Sequence, residues 1–166
     1  AETDLLVIGQ RGEDEEFDTG FLGSVAEKLV RKVTRPVLLT GLNVREFRRA
    51  LLAYDGSESA QRAMKTLARL AAGLEMEVDA VQMVEEGEDT TMLKEVVTYF
   101  KDFPVRLSIH YLVSDSHEVI INHVKEKKCD LLVMGAFDNK AADAIALGST
   151  TEYLMRNSPV PVLVHH

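Results

Sequence analysis

One segment of this chain occurs twice, and that repeat limits the possible folds more than any other feature. Asp4-Leu5-Leu6-Val7-Ile8-Gly9 is answered by Asp130-Leu131-Leu132-Val133-Met134-Gly135, and Gly23-Ser24-Val25-Ala26-Glu27 by Gly148-Ser149-Thr150-Thr151-Glu152. Leu29, Arg31 and Pro36-Val37-Leu38 then match Leu154, Arg156 and Pro161-Val162-Leu163 in the same order. Gly9 and Gly135 stand 126 positions apart and Gly23 and Gly148 stand 125 apart, so the earlier loop holds one more residue. A period of that size is the size of a domain, which points to a duplicated unit rather than a solenoid of short repeats. An unrelated N-terminal extension would not repeat a strand, a loop and a helix start in order.

Between the repeats the pattern alternates strand and helix. Ala50 to Tyr54 is an apolar run closed by the turn Asp55-Gly56-Ser57, after which Ala60, Met64, Leu67 and Ala71 recur at helical spacing as far as Gly73. Val78 to Val84 reads as a second strand, and Leu93, Val96, Val97 and Phe100 as one face of a helix. Val105, Leu107, Ile109 and Tyr111 alternate strictly, as an edge strand wet on one side would. Ser116 opens a helix through Val119, Ile120 and Val124 that leads to a buried strand at Leu131 to Met134, then a helix from Ser149 and a last strand at Val160 to Val164. Five strands alternating with four helices predict an α/β, Rossmann-like fold: an open five-stranded parallel sheet with helices on both faces. Residues 50–166 would form this complete unit. Residues 43–49 would be a linker, and 1–42 a partial second copy holding a fourth strand (Leu5 to Ile8), a helix (Ser24 to Val33) and a fifth strand (Pro36 to Thr40). Both fifth strands carry proline at matching positions, which suits a strand with one bare edge, so these strands are expected to pair antiparallel, within or between chains.

Composition excludes several classes. With 27 acidic against 19 basic residues and a formal charge of -8, a nucleic-acid or anionic-membrane surface would need a local basic patch, and the sequence shows none. Apolar runs such as Leu131-Leu132-Val133-Met134 fall far short of the ~20 residues of a membrane helix, and Ala1 begins no signal peptide, so a cytoplasmic setting is expected. The single cysteine, Cys129, has no partner for a disulfide or a metal motif and reads as a packed thiol. His165 and His166, a terminal pair of the kind affinity tags carry, are set aside.

In both repeats a strand ends at glycine and a helix begins at Gly-Ser followed by Ser-x-x-Glu, namely Ser24 with Glu27 and Ser149 with Glu152. The pattern is a capping box. Such a helix start also presents free N–H groups toward the carboxyl edge of the sheet, where α/β folds bind phosphate, although a capping box taken alone is only a helix start. Gly9-Gln10-Arg11-Gly12, then ten residues, then Gly23-Ser24 resembles the nucleotide motif of the universal stress protein family, Gly-x2-Gly-x9-Gly-Ser/Thr, with one insertion. The run from Leu51 to Ala60 through Asp55-Gly56-Ser57 resembles that family's opening motif.

The resemblance implies a sheet of order 3-2-1-4-5, dimerisation (or a pseudo-dimer) through the fifth strands, and binding of ATP or AMP, with magnesium where phosphates are held. It gives Asp55 the adenosine-side role, Met83 the backbone contact to adenine, and Gly135, Gly148, Ser149 and Thr150 the phosphate side, with Gly9, Gly12, Gly23 and Ser24 as their counterparts in the partial unit. Two positions depart from the family. Asp138 stands where the second glycine belongs, adding a Cβ and a negative charge beside a polyanion, and Ser114 replaces a glycine before the third helix. The intact glycine motif of the partial unit is flanked by Glu13, Asp14, Glu15, Glu16 and Asp18, which repel phosphate or form a solvated loop.

Without the resemblance Asp55 reads as a turn residue. His123 reads as a half-buried packing residue, His110 as an outward residue of the edge strand and His117 as an exposed first-turn residue, with no two histidines meeting a carboxylate at ligand spacing. Walker, dinucleotide, nucleophile-elbow and zinc-protease motifs are absent from the sequence. The expected function is a cytoplasmic adenine-nucleotide-binding stress-response protein, not an enzyme beyond slow ATP hydrolysis. The alternative is a dimerisation module that has lost nucleotide, and Asp138 is the residue that separates the two.

Overall fold

A computed structural model of the chain describes residues 4–9, 24–41, 46–86, 90–136 and 148–166. Within them the elements run β1 (Leu6–Gly9), α1 (Ser24–Lys32), β2 (Val37–Thr40), β3 (Arg49–Ala53), α2 (Glu58–Leu74), β4 (Glu77–Val84), α3 (Leu93–Phe100), β5 (Leu107–Val113), α4 (Glu118–Glu126), β6 (Leu131–Gly135), α5 (Ser149–Asn157) and β7 (Val162–His165). No helix among the described residues is long and apolar enough to cross a membrane.

All seven strands join one sheet in the order β1-β2-β7-β6-β3-β4-β5. The five strands from β3 onward pair in parallel and, numbered among themselves, lie in the order 3-2-1-4-5. The sheet as a whole is mixed, which corrects the expectation of a free five-stranded parallel sheet. β2 pairs antiparallel with β7, register Leu38 to Leu163, and β1 pairs in parallel with β2. The physical reason is the one that suggested pairing of these strands: a short apolar strand left with a bare edge acquires a neighbour. That neighbour comes from the same chain. His165 belongs to β7 and its ring bonds Thr66 at 2.9 Å, so it is an integral residue of the sheet.

Two apolar layers sandwich the sheet. On one face α2 and α3 pack over Ala50, Leu52, Val78, Ala80, Leu131, Val133 and Leu163. The alanines of α2 at 60, 63, 68 and 71, with Met64 and Leu67, bring the helix close to the strands. On the other face α1, α4 and α5 cover Leu51, Val81, Leu132, Met134, Val162 and Val164. β5 is an edge strand, as its alternation foretold, but the wet side is the opposite one. Ile109, Tyr111 and Val113 are exposed along with Ser108, because only Leu107 of the apolar row joins the layer under α3, whereas Leu112 of the alternate row packs into the layer beneath α4.

Candidate functional site

A cavity of about 380 Å³ opens at the carboxyl ends of β3, β4 and β6 and is lined among others by Tyr54, Asp55, Gln82, Met83, Gly135 and Thr150. Its position is the crevice outside the strand ends where open α/β sheets take ligands, and its size falls in the usual range for small-molecule pockets. The floor and walls are apolar, from Val81, Ile120, Met92, Met134 and Leu154. Asp55 follows β3 directly. One of its carboxylate oxygens accepts from the Ser57 amide at 3.0 Å, and Ser57 Oγ in turn accepts from the Ala60 amide at 3.1 Å as the N-cap of α2. Gly56 between them takes φ +75, open to glycine at no steric cost. The turn reading of Asp55 therefore holds, and the same turn carries it to the cavity rim.

Gln82 and Tyr54 are the polar lining residues that the sequence reading did not single out. Gln82 is 2% exposed, and neither its amide oxygen nor its nitrogen finds a hydrogen-bond partner among the described residues. Tyr54 donates its hydroxyl to Glu95 Oε2, and burial, reinforced by that carboxylate, raises its pKa so that the phenol stays protonated. The available signal was composition within a strand: in the apolar run Val78 to Val84, only Asp79 and Gln82 are polar, and a polar side chain in a strand covered on both faces requires a partner.

The phosphate-side residues divide. Gly135 and Thr150 line the cavity, and Gly148 is the buried N-cap of α5, with φ -61 and ψ 148. Ser149 is exposed and is the first helical residue, so the expected capping box is not formed: α5 has no side-chain cap, and Glu152 instead pairs with Arg156 at 3.0 Å. Glu27 likewise pairs with Arg31 at 2.8 Å. In each case the glutamate meets an arginine four residues on and is drawn toward it. Thr151, buried, donates to the Gly135 carbonyl at 3.0 Å and locks the first turn of α5 to the end of β6. Gly135 owes its identity to packing: a Cβ there would stand 2.5 Å from the Ala60 amide nitrogen, where α2 begins. Gly9 ends β1, on the far side of β2 and β7 from this cavity. Gly12, Gly23 and Asp138 lie outside the described residues, as does the side chain of Ser24.

The histidines differ from expectation. His117 is half-buried rather than exposed, its Nδ1 3.3 Å from Thr150 Oγ1 and its ring centroid 5.9 Å from that of Tyr153 at a tilt of 50°. His123 is buried at 8% exposure, and burial, followed by the neighbouring His110, lowers its pKa. His110 turns inward to bond Asp79 Oδ1 at 2.8 Å. Asp79, His110 and His123 offer ligand atoms within 4.8 Å of one another, which overturns the expectation that no two histidines meet a carboxylate. The cause is the reversed facing of β5.

Comparison with known proteins agrees with this architecture. The Universal stress protein family matches over residues 94–166. Universal stress protein Slr1230 of Synechocystis is 29% identical over 163 residues, covering 96% of this chain and 57% of its own length, so the chain spans little more than half of that relative. A universal stress protein from Archaeoglobus fulgidus superposes with a TM-score of 0.78 at 26% identity, covering 98% of this chain and 60% of that one. A universal stress protein in complex with cAMP superposes at 0.64 with 22% identity, covering 74% of this chain and 98% of that one, which shows a shared fold. The α3-to-β7 segment, with the α4 and α5 walls of the cavity, is thus the part of the chain that matches the universal stress protein family, and the whole chain is similar in sequence and fold to members of it.

Proposed function

We propose that the chain binds an adenine nucleotide, ATP or AMP, in the cavity at the ends of β3, β4 and β6, and acts as a nucleotide-responsive regulatory protein of the stress response in the cytoplasm. The observation that carries the reading is Gln82, a buried amide with no partner among the described residues in the lining of an otherwise apolar cavity. Leaving such a group unpaired is costly, and a ligand with its own donors and acceptors relieves that cost. A purine suits the thioether and aliphatic walls offered by Met83, Met92 and Ile120, and the presence of Asp55 in the cavity lining supports a contact to a ribose hydroxyl. On the phosphate side, the uncapped first turn of α5 supports an anion near Gly148, Ser149 and Thr150, with magnesium where a triphosphate is held.

The same reading takes residues 1–42 as the closing part of a first unit, 43–49 as a linker and 50–166 as a complete unit, and assigns no reaction beyond slow ATP hydrolysis. Asp138 would weaken the phosphate side: one like charge at ~6 Å through an effective dielectric of ~20 costs about 3 kcal/mol, a hundredfold in affinity. A second reading, an interaction module without nucleotide, is favoured by the antiparallel β2–β7 pairing, which already joins the two fifth strands. Calorimetric titration with ATP, AMP, cAMP and adenosine separates them. Adenosine and AMP should bind the unmodified protein and lose affinity in Gln82→Leu, while Asp138→Gly should tighten ATP more than adenosine. Absence of binding by all four ligands at millimolar concentration would leave the interaction reading.

A further inference from the structure

The cluster beneath α4 lies apart from the cavity, toward the amino ends of the strands, and no part of the nucleotide reading uses it. Three elements each supply one residue. Asp79 is the third residue of β4, His110 comes from the edge strand β5 and His123 from α4. The register sets Asp79 opposite Ser108 and Val81 opposite His110, so both side chains rise on the same face of the sheet as diagonal neighbours. His123 descends on them from the helix, its ring 4.7 Å from that of His110 at an interplanar angle of 60°. Asp79 is 5% exposed at its side chain and His110 is 28% exposed, so the group is closed below and open to water on one side.

Two observations set this cluster apart from an ordinary charge network. The donor set is two imidazoles and one carboxylate, all within 4.8 Å of one another. His123 is more than nine-tenths buried, its Nε2 makes no hydrogen bond among the described residues, and its ring packs against that of His110. A buried ring nitrogen left in that condition is explained by a partner that the polypeptide does not provide. We propose that Asp79, His110 and His123 bind one divalent first-row transition ion, zinc being the best fit, with water completing the coordination on the His110 side. Imidazole with carboxylate suits zinc and its neighbours rather than calcium or magnesium, and three protein ligands with one open position are a recurrent zinc arrangement.

Zinc–nitrogen and zinc–oxygen distances of about 2.0–2.2 Å put tetrahedral donors roughly 3.3 Å apart, so the cluster would need to contract by about 1.5 Å at most. His110, on an edge strand and partly exposed, has the freedom to move. The ion replaces the proton now shared between His110 and Asp79, and Oδ2 of Asp79 keeps Arg49 Nη1 at 3.5 Å as an outer partner. Arg49 and Lys127 oppose a cation here, and Glu126 favours it. Bound in this way, the ion would fasten the edge strand and α4 to β4.

The test is zinc titration of the nucleotide-free protein, followed by calorimetry and by thermal unfolding with and without a chelator. The terminal pair His165 and His166 is a competing locus, so His165→Ala/His166→Ala is titrated in parallel. One zinc per chain should bind and raise the unfolding temperature. Binding should persist in the double tail variant and weaken at least about a hundredfold in His110→Ala and in the volume-conserving His123→Leu. Cobalt(II) added to the unmodified protein should give visible d–d bands of tetrahedral strength, a readout that does not depend on any variant folding. No zinc bound at a hundred micromolar, or binding lost only with the tail histidines, would overturn the assignment.

Discussion

The face of the sheet under α2 and α3 is closed by side chains that carry no charge, whereas the face under α1, α4 and α5 takes in a carboxylate, an imidazole and a thiol among its apolar residues. On the first face the small residues of α2 let helix and strand approach, and stability follows mainly from packing, with Gln82 and the Tyr54–Glu95 and Thr66–His165 hydrogen bonds at its margin. On the second, each buried polar group must be partnered: Asp79 by Arg49 and His110, with His123 beside them. A polar cluster of this kind contributes less stability than an apolar layer of the same volume, and its retention is better explained by binding than by folding. The cavity at the strand ends draws on both layers, with Gln82 on the α2 side and Met83 on the α4 side of the same strand.

If that contrast is right, the largest stability loss comes from the more apolar face. Leu67→Ala, at a fully buried position of α2, should cost about 2–5 kcal/mol in urea unfolding. A loss below about 1 kcal/mol would mean that the α2 layer can collapse into the space and is not the rigid half of the molecule.

Raising the pH probes the other face. Burial, with the nearby Asp79 carboxylate second, pushes the Cys129 thiol up to about 12. The folded state therefore holds this proton more tightly than the unfolded chain. The stability involved is intact below the unfolded value near 9 and is lost as pH rises from there toward about 12, at about 1.4 kcal/mol per pH unit. Tyr54, under α2, also holds its proton more tightly when folded, but from an unfolded value of 10, so its loss begins about one unit later. Urea midpoints across this range for the unmodified protein and Cys129→Ala isolate the thiol. An identical alkaline slope in both would show that Cys129 is not the group responsible.

Much of this organisation was legible in the sequence because it rests on local pattern. The central apolar strands, the helical spacing in α2 and the second copy of the repeated segment, Leu131 to Met134, report burial directly, whereas Leu5 and Val7 of the first copy are exposed; the order of strands β3 to β7 agrees with what the resemblance implied. The metal-ligand cluster was not legible, because it depends on which row of β5 faces a helix. Apolar alternation placed Leu107, Ile109 and Tyr111 inward and His110 outward, but only Leu107 of that row joins the layer under α3, and the row of His110 and Leu112 meets α4. The capping box at α5 failed for a related reason: Ser-x-x-Glu fits a cap only when serine precedes the helix, and Ser149 lies one residue inside it.

The two helix starts allow a sharper test of that last point. Ser57→Ala removes the hydroxyl that accepts from Ala60 and should cost about 1 kcal/mol. Ser149→Ala removes an exposed hydroxyl with no capping role and should change stability by less than about 0.5 kcal/mol in the nucleotide-free protein. Equal losses at both positions would restore the capping box at α5.

The smallest expected effect concerns how α1 is held beside α5. Glu27 accepts from Arg31 on its own helix at 2.8 Å and reaches Arg156 of α5 at 3.4 Å, while Arg156 also holds Glu152 at 3.0 Å. These side chains are about a quarter exposed, so the Glu27–Arg156 contact is partly screened and is expected to contribute under about 1 kcal/mol. A double-mutant cycle with Glu27→Gln and Arg156→Met should give a coupling of about 0.2–1 kcal/mol that falls as salt is raised to about 1 M, where the screening length shrinks to roughly 3 Å. A coupling that survives high salt would show that the pair is sheltered, and would make the α1–α5 contact, like the Asp79 cluster, a specified polar contact on this face. A coupling of zero would leave β2, hydrogen-bonded to β7 on one edge and to β1 on the other, as the polar link between the β1-to-β2 segment and the rest of the chain.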